Sequence, residues 1–288
     1  MDTRGQRPDA RHRRCPRRPD LQDLSHLSEG AGLSGFTALV LAGSRGGPDL
    51  VANYAGVTHK ALIVIDGQPM ILRVIDALKQ AGAGRIAVST DHPDVIAAIA
   101  WTGVDCLAPE SQPSLSVLSA FQRLGAPLLV TTADHGLLRP EWITQFLADV
   151  PAGADLAMLL AERALIEADA PGSRRTYYRF AGRAWSGCNL FHLATPRAAS
   201  ALELWRTVEV HRKHPWKVAR LIGLTTLARY LGGRLTIDQA VARLGASVGV
   251  RAVVVQSRSG LAAVDVDKPT DLDLVREIVA SQPPASQP

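Results

Sequence analysis

The chain lacks the means to build a disulfide framework or to span a membrane as a helix. Its 288 residues include 3 cysteines, Cys15, Cys106 and Cys188, widely spaced and with no Cys-x-x-Cys pair. An odd, scattered set argues against a disulfide scaffold and a thiolate zinc site, and it suits a reducing cytoplasm, the expected location. No apolar stretch approaches the roughly 18 residues that a membrane-spanning helix needs, and residues 1–34 have no apolar core of the signal-peptide kind. Aromatic side chains are missing altogether from the arginine-rich segment 1–34. Without them it has nothing to stack on bases, so no nucleic-acid partner is expected. No Gly-Lys-Ser/Thr follows any glycine loop and there is no His-Glu-x-x-His, so a Walker-A site and a zincin site are both excluded.

What the chain does have is alternation. Apolar residues are 47% of it, ample for a single core. From residue 36 onward short apolar runs alternate with helical patterns. The strand candidates are 37–42, 61–65, 85–90, 104–107, 127–132 and 155–160, with another at 250–256. Helical patterns over 69–81, 92–100, 115–124 and 140–149 lie between them. This order predicts right-handed βαβ units, a mainly parallel sheet, and a ligand beyond the carboxyl ends of the strands. The pattern breaks between 162 and 250. Residues 174–191 mix basic and aromatic side chains around Ala181-Gly182 and read as a hairpin, and about 196–245 reads as a helical insertion. The expected organisation is an Arg/Pro-rich segment 1–34, either a disordered tail or an over-called start, then one domain over 35–280 and a disordered 281–288.

Several residues in this frame carry chemistry. The run Ala38 to Ala42, which includes Leu41, empties into the loop Gly43-Ser44-Arg45-Gly46-Gly47, and Lys60 stands just ahead of a second apolar run. Glycines let main-chain N–H groups approach a polyphosphate, and a guanidinium with an ammonium can neutralise its charge. A Gly-rich turn with two solvated cations is the rival reading. Asp134 closes an apolar strand, a suitable place for a hard divalent cation. Its rival role, capping the helix that starts near Pro140, is awkward because the cap would lie too far upstream. Asp265 and Asp267 alternate with Val264 and Val266, which puts both carboxylates on one side of an extended segment. Two like charges there need a cation or Lys268 beside them. A simple entry to a helix over 271–280, capped by Thr270 or Asp271, is the alternative. Ser114 and Ser116 suit a helix N-terminus. Asn189, after Gly187, suits a tight turn. The basic run His211 to Lys217, with Arg220, reads as a solvated face. Its clustering beside Trp216 also admits an anionic acceptor or a weak membrane-surface contact through 211–220.

Taken in order, Leu41-Ala-Gly-Ser-Arg-Gly46, Lys60-Ala-Leu62 and Asp66-Gly-Gln-Pro-Met70 resemble the nucleotidyltransferases related to molybdenum-cofactor guanylyltransferase. The resemblance continues through Thr131-Thr-Ala-Asp134, Ser186-Gly-Cys-Asn-Leu-Phe191 and Val264-Asp-Val-Asp-Lys-Pro-Thr-Asp-Leu272, spanning about 36–280. Ser44 stands where that family has a second glycine, and the loop has no Arg-Met pair. The resemblance implies a three-layer, doubly wound α/β domain of the Rossmann-like, nucleotide-diphospho-sugar transferase type. It also implies Mg²⁺-dependent transfer of an NMP from an NTP, CTP or GTP above others, to a phosphorylated small-molecule acceptor, with release of pyrophosphate. In that reading Leu41, Ala42, Gly43, Ser44, Gly46, Lys60 and Ser116 contact the nucleotide, Ser116 by likeness to cytidylyltransferases of the same superfamily. Arg45 and Lys60 stabilise its phosphates, Asp134, Asp265 and Asp267 hold magnesium, and Gly187 and Asn189 face the acceptor. A glycosyltransferase of the same fold and a non-catalytic nucleotide-binding regulator are the alternatives.

Overall fold

The computed structural model describes residues 35–44, 47, 49–211 and 224–281. A large sheet runs through the middle of this region. Its strands are β1 (Thr37–Leu41), β4 (Arg85–Ser89), β5 (Asp105–Leu107), β6 (Leu128–Thr132), β7 (Leu156–Glu162), β8 (Tyr178–Phe180), β9 (Arg183–Leu193) and β10 (Ala252–Gln256), and a separate ribbon pairs β2 (Val64–Ile65) with β3 (Gln68–Pro69). The large sheet has the order β10-β7-β9-β6-β1-β4-β5, with β8 paired to β9. Strand β1 pairs in parallel with both β4 and β6, and the chain winds outward from it in both directions. That is the doubly wound, mainly parallel α/β architecture expected from the alternation. The switch point lies between β1 and β6, so the loops leaving Leu41 and Thr132 open onto one crevice.

The helices explain the apolar periodicity. Helix α1 (Leu50–Tyr54) is followed by α2 (Met70–Gln80), α3 (Pro93–Ile99), α4 (Pro113–Leu124), α5 (Pro140–Asp149), α6 (Arg163–Asp169), α7 (Ala198–His211), α8 (Leu224–Leu231), α9 (Ile237–Ala246) and α10 (Pro269–Ser281). Helix α2 buries Met70, Ile71, Leu72, Val74, Ile75, Ala77 and Leu78 on one face. They share a core with Ala38 and Val40 of β1 and Ile143 and Phe146 of α5. On the other side of the sheet, Leu39, Val117, Phe121, Leu128 and Val130 pack with Ala198 and Leu202 of α7. A third cluster joins Trp185 to Ile237 and Val241 of α9. Helices α7 and α9 of the 196–245 stretch thus pack on the sheet. No described helix is long and apolar enough to cross a membrane.

Two readings of the sequence change. The run 61–65 is not a strand of the main sheet. His59 Nδ1 accepts from the Ala61 N–H at 3.1 Å and starts a short 3₁₀ turn, Lys60–Leu62. Val64–Ile65 then turns back through Asp66 (φ 50) and Gly67 (φ 72) onto Gln68–Pro69. Positive φ at both central residues is the type I′ hairpin, for which Asp-Gly is suited. Ile63 and Ile65 are fully buried, so the run is apolar because it is covered and not because it is extended. The hairpin at Ala181-Gly182 is present (φ 44 and 77), but its second arm is the long β9, inserted antiparallel between β6 and β7. A chance Gly-x-Ser-x-Gly, Gly245 to Gly249, sits at a helix end: Ser247 is the C-cap of α9 and its Oγ donates to the Leu244 carbonyl at 2.7 Å. It lacks the strand–turn–helix setting of a nucleophile elbow.

A buried carboxylate ties the far side of the sheet together. Asp155, just ahead of β7, accepts from the Thr195 hydroxyl at 2.6 Å and from the Arg251 N–H at 2.8 Å. These bonds, Thr195 first, hold its pKa below the ordinary aspartate value. Replacing Asp155 with Ala is expected to cost about 2 kcal/mol, the loss of two bonds to a charged acceptor. Because the native pKa is the lower one, this contribution is present above the unfolded value near ~3.9 and fades as pH falls through the native value. Urea unfolding of both proteins at neutral and acid pH checks it: the difference should shrink in acid, and an equal gap at both would contradict the assignment.

Candidate active site

The crevice at the switch point is built from four segments, each placed by the elements before it. Strand β1 ends at Leu41, whose carbonyl accepts from the Ala133 N–H at 2.9 Å, while the Ala42 N–H donates to Ser89 at 2.9 Å. Gly43 and Ser44 follow, exposed. Nothing but Pro109, at 3.6 Å, lies near the position of a Cβ on Gly43, which puts the loop after β5 beside the loop after β1. Arg45 and Gly46 lie outside the described residues.

The 3₁₀ turn delivers Lys60 to the end of β6. Its Nζ lies 2.5 Å from Asp134 Oδ2 and 3.2 Å from Asp267 Oδ1. Burial works against a charge on Lys60, but the two carboxylates outweigh it and raise its pKa. The same pairing settles Asp134, where burial opposes ionisation and the Lys60 ammonium nonetheless holds the pKa below its ordinary value. Asp134 does not cap α5, whose N-cap is Arg139. Its carbonyl accepts from the Val266 N–H at 3.0 Å, joining β6 to the 264–268 segment. Its second oxygen, Oδ1, is buried without a partner, a free acceptor on an ionised group.

Asp265 and Asp267 are set differently. Asp267 is exposed and reaches Lys60. Asp265 is gripped by Arg175, whose Nη1 bonds its Oδ1 and also the carbonyls of Ala263 (3.1 Å) and Asp265 (3.2 Å). Asn189 Nδ2 donates to Asp265 Oδ2 at 2.7 Å. Burial, then the charges of Asp134 and Asp267, raise the Asp265 pKa to about 6 against the pull of Arg175. Asp271 Oδ2 accepts from the N–H groups of Asp267 (3.1 Å) and Lys268 (2.9 Å). The helix therefore opens at Pro269, ahead of the expected 271, and Asp271 caps it by reaching back.

Of the three carboxylates expected to share magnesium, Asp134 and Asp267 meet directly through Lys60, and Asp265 stands beside them facing Arg175 and Asn189. Among the described residues no three His, Cys, Asp or Glu side chains converge as a ready-made metal cluster. Magnesium does not require one, because it is commonly held by one or two carboxylates, waters and substrate phosphates. The unpartnered Oδ1 of Asp134 and the adjacent Asp267 fit that donor set. His135 is buried, not a rim residue: it is stacked against Trp142 at 6.2 Å, and burial lowers its pKa to about 4.

Asn189 does not form a tight turn. It lies on β9 with φ 50, at the irregularity where the β7–β9 register shifts between Met158 and Leu160. Gly187, two residues earlier, has open space where a Cβ would stand. Both line a cavity of about 1180 Å³ that Asp265, Asp267, Lys268, Arg175 and Arg179 also face. Ser116 is occupied locally: its Oγ accepts from the Glu110 N–H at 2.8 Å and contacts the Gln112 carbonyl at 3.2 Å, fixing the loop beside Gly43. The basic stretch 212–220 lies outside the described residues, as do the side chain of His211 and the segments 1–34 and 282–288. Arg175 is the residue that the sequence reading passed over. The available signal was the density of arginines in 174–183, within the stretch read as a hairpin, one of which is buried.

A family model described as the MobA-like NTP transferase domain matches residues 38–212. A 3-deoxy-manno-octulosonate cytidylyltransferase of Photorhabdus laumondii is 35% identical over 105 residues, 34% of this chain and 42% of that protein. The same enzyme of Proteus mirabilis is 33% identical over 108 residues, 35% of this chain and 43% of that one. The chain thus spans under half the length of the curated relatives it matches. Among solved structures, a hypothetical transferase from Thermus thermophilus is 30% identical with a TM-score of 0.71, covering 83% of this chain and 100% of that one. A CMP:2-keto-3-deoxy-manno-octonic acid synthetase complexed with CTP shares the fold, at 19% identity and a TM-score of 0.53 over 86% and 99% of the two chains.

Lys60 is expected to hold the two carboxylates together. Lys60→Met should lower stability by about 2 kcal/mol without divalent ions, because it leaves a mostly buried carboxylate uncompensated. Added magnesium should recover most of that loss, since the ion then meets the carboxylates without competition from the ammonium. Melting curves of both proteins with EDTA and with magnesium test this, and an unchanged Tm in EDTA would contradict it.

Proposed function

The chain belongs to the MobA-like NTP transferase family, and from that premise we propose that it is a magnesium-dependent nucleotidyltransferase, moving an NMP from an NTP to an anionic small-molecule acceptor. The observation that carries this reading is the meeting of Lys60, Asp134 and Asp267 at the switch point, with Asp134 Oδ1 free. A neighbouring loop, Gly43-Ser44, presents main chain to the same crevice. CTP is the first nucleotide to try, because relatives over part of the chain carry the name cytidylyltransferase.

The reaction joins an acceptor oxygen to the α-phosphorus and breaks the bond from that phosphorus to the bridging oxygen of the β-phosphate, which leaves with pyrophosphate. An acceptor phosphate or carboxylate is already anionic, so no side-chain nucleophile is needed, and catalysis rests on positioning and charge. Asp134 and Asp267 would hold the magnesium ion, which when bound neutralises phosphate charge. Lys60 is the chain's own mobile cation. Released from its carboxylates, its ammonium is available to the phosphates, and it returns to Asp134 when they leave. Arg175 and Asn189 keep Asp265 fixed at the boundary with the large cavity, where the acceptor is placed in this reading. Gly187 leaves room for it.

A thermal-shift screen of the four NTPs with magnesium, followed by a pyrophosphate-release assay, tests the reading. CTP with magnesium should raise Tm by mass action, and Asp134→Asn should remove the magnesium-dependent part of that rise. Lys60→Ala should lower kcat/KM about a hundredfold, or ~3 kcal/mol of lost phosphate stabilisation. No Tm change with any NTP, or full turnover by the Lys60 variant at equal folded fraction, would refute it.

A further inference from the structure

The large cavity has more apolar wall than a sugar or a small hydroxy acid can use. Beyond Asn189 and Asp265 it is bounded by Met158, Leu160, Phe191, Ile237, Val241 and Leu244. Five of its residues, Met158, Tyr178, Phe191, Val241 and Leu244, also line a second cavity of about 390 Å³ between the sheet and helices α7 and α9. That inner space is walled by Leu156, Leu193, Ala201, Leu202 and Trp205, with Trp205 stacked on Phe191 at 6.1 Å. The two cavities adjoin across these shared residues, with the carboxylates at the outer end and apolar side chains at the inner one.

The mouth has the opposite character. Arg174, Arg179 and Lys268 line it together with Asp265, Asp267, Asp271 and Arg175, and the first three are exposed. Among the described residues none of the three has a carboxylate partner, whereas Arg175 beside them is committed to Asp265 and Asp271. Free cations at the rim favour an anion. Hydroxyls carried into the inner wall would lose water and find few hydrogen-bonding side chains there, Tyr178 and Trp205 among otherwise aliphatic and aromatic residues, which is costly. A hydrocarbon or aryl group would gain by the same burial. Charge at one end and apolar surface at the other leave one class of ligand that fits both.

We propose that the acceptor is an amphiphilic anion, a phosphate or carboxylate bearing an alkyl or aryl body. Its charged end lies at Arg179 and Lys268 beside Asp265, and its body enters the space walled by Phe191, Trp205 and Leu244. This rests on the nucleotidyltransferase reading for the role of the ligand as acceptor, but the binding site stands on the cavity itself. Carrying a whole apolar body out of water is what would distinguish this acceptor from a sugar acid.

The test uses the full chain and three soluble probes measured by calorimetry: hexyl phosphate, inorganic phosphate and hexyl glucoside. Hexyl phosphate is expected to bind roughly 100-fold tighter than inorganic phosphate, the yield of partial burial of six carbons after ordering costs, and clearly tighter than hexyl glucoside. Ala201→Phe, which fills the inner space, should remove that advantage, and Arg179→Ala should weaken hexyl phosphate while sparing hexyl glucoside. Should Ala201→Phe fail to fold, Leu244→Phe serves the same purpose. Equal binding of hexyl phosphate and inorganic phosphate would overturn the apolar part, and equal binding of hexyl phosphate and hexyl glucoside the anionic part. The Tm rise with CTP and magnesium is followed in the same samples. Its presence without hexyl phosphate binding would refute this inference alone, and its absence with hexyl phosphate binding would refute the nucleotidyltransferase reading alone.

Discussion

Three carboxylates, Asp134, Asp265 and Asp267, crowd the carboxyl edge of the sheet, where burial first, and the two neighbouring charges after it, raise the pKa of Asp265 to about 6. Two cations keep them there. Lys60 bridges Asp134 and Asp267, and Arg175 holds Asp265 together with the backbone around it. Without that compensation, like charges at this burial would protonate or move apart. The surrounding architecture serves the arrangement: β1 and β6 deliver one crevice, the His59-capped turn delivers Lys60, and the Val266 to Asp134 hydrogen bond docks the 264–268 segment onto the strand end. The cluster is only partly compensated, with two cations against three carboxylates and one aspartate oxygen without a partner, which is what the proposed exchange of the lysine for a metal and a polyphosphate starts from.

Asp265 is best understood by its partners. Arg175 and Asn189 come from the two sides of the β8–β9 hairpin region, and both face the large cavity. Asp265 thus sits on the boundary between the lysine-bridged pair and the space assigned to the acceptor. Its tether is fixed in turn, because the guanidinium also donates to the Ala263 and Asp265 carbonyls. Asn189 keeps a left-handed backbone inside a strand to make its bond, a local strain of the kind that persists where the surroundings hold it in place.

The parallel half of the fold was legible because its strands are buried on both faces and their sequences are plain apolar runs, as in Ala38 to Leu41 and Leu128 to Val130. The run Ala61 to Ile65 misled for the same reason: burial of Ile63 and Ile65 makes any short segment apolar, and periodicity cannot separate a covered turn from a strand of that length. Strand β9 was opaque because it leaves the main sheet pattern, pairing with β8 at its start and with β6 and β7 further on, and its polar residues Ser186 and Asn189 serve the site. Lys60, Asp134, Asp267, Asp265 and Asn189, chosen from motifs, are brought to one region. Arg175 was hidden among exposed arginines, since nothing local in 174–183 says which one turns inward. Ser116 shows the reverse case: its hydroxyl is spent on the loop that leads into its own helix.

The central claim is that Lys60 and a divalent ion alternate on Asp134. A crystal structure with manganese and a non-hydrolysable CTP analogue tests it most directly, since the anomalous signal locates the ion. The ion should lie on Asp134 Oδ1 with Asp267 beside it, and Lys60 Nζ should have left its 2.5 Å contact with Asp134 for a phosphate oxygen. An ion bound elsewhere, or Lys60 still paired with Asp134 in the loaded site, would contradict it.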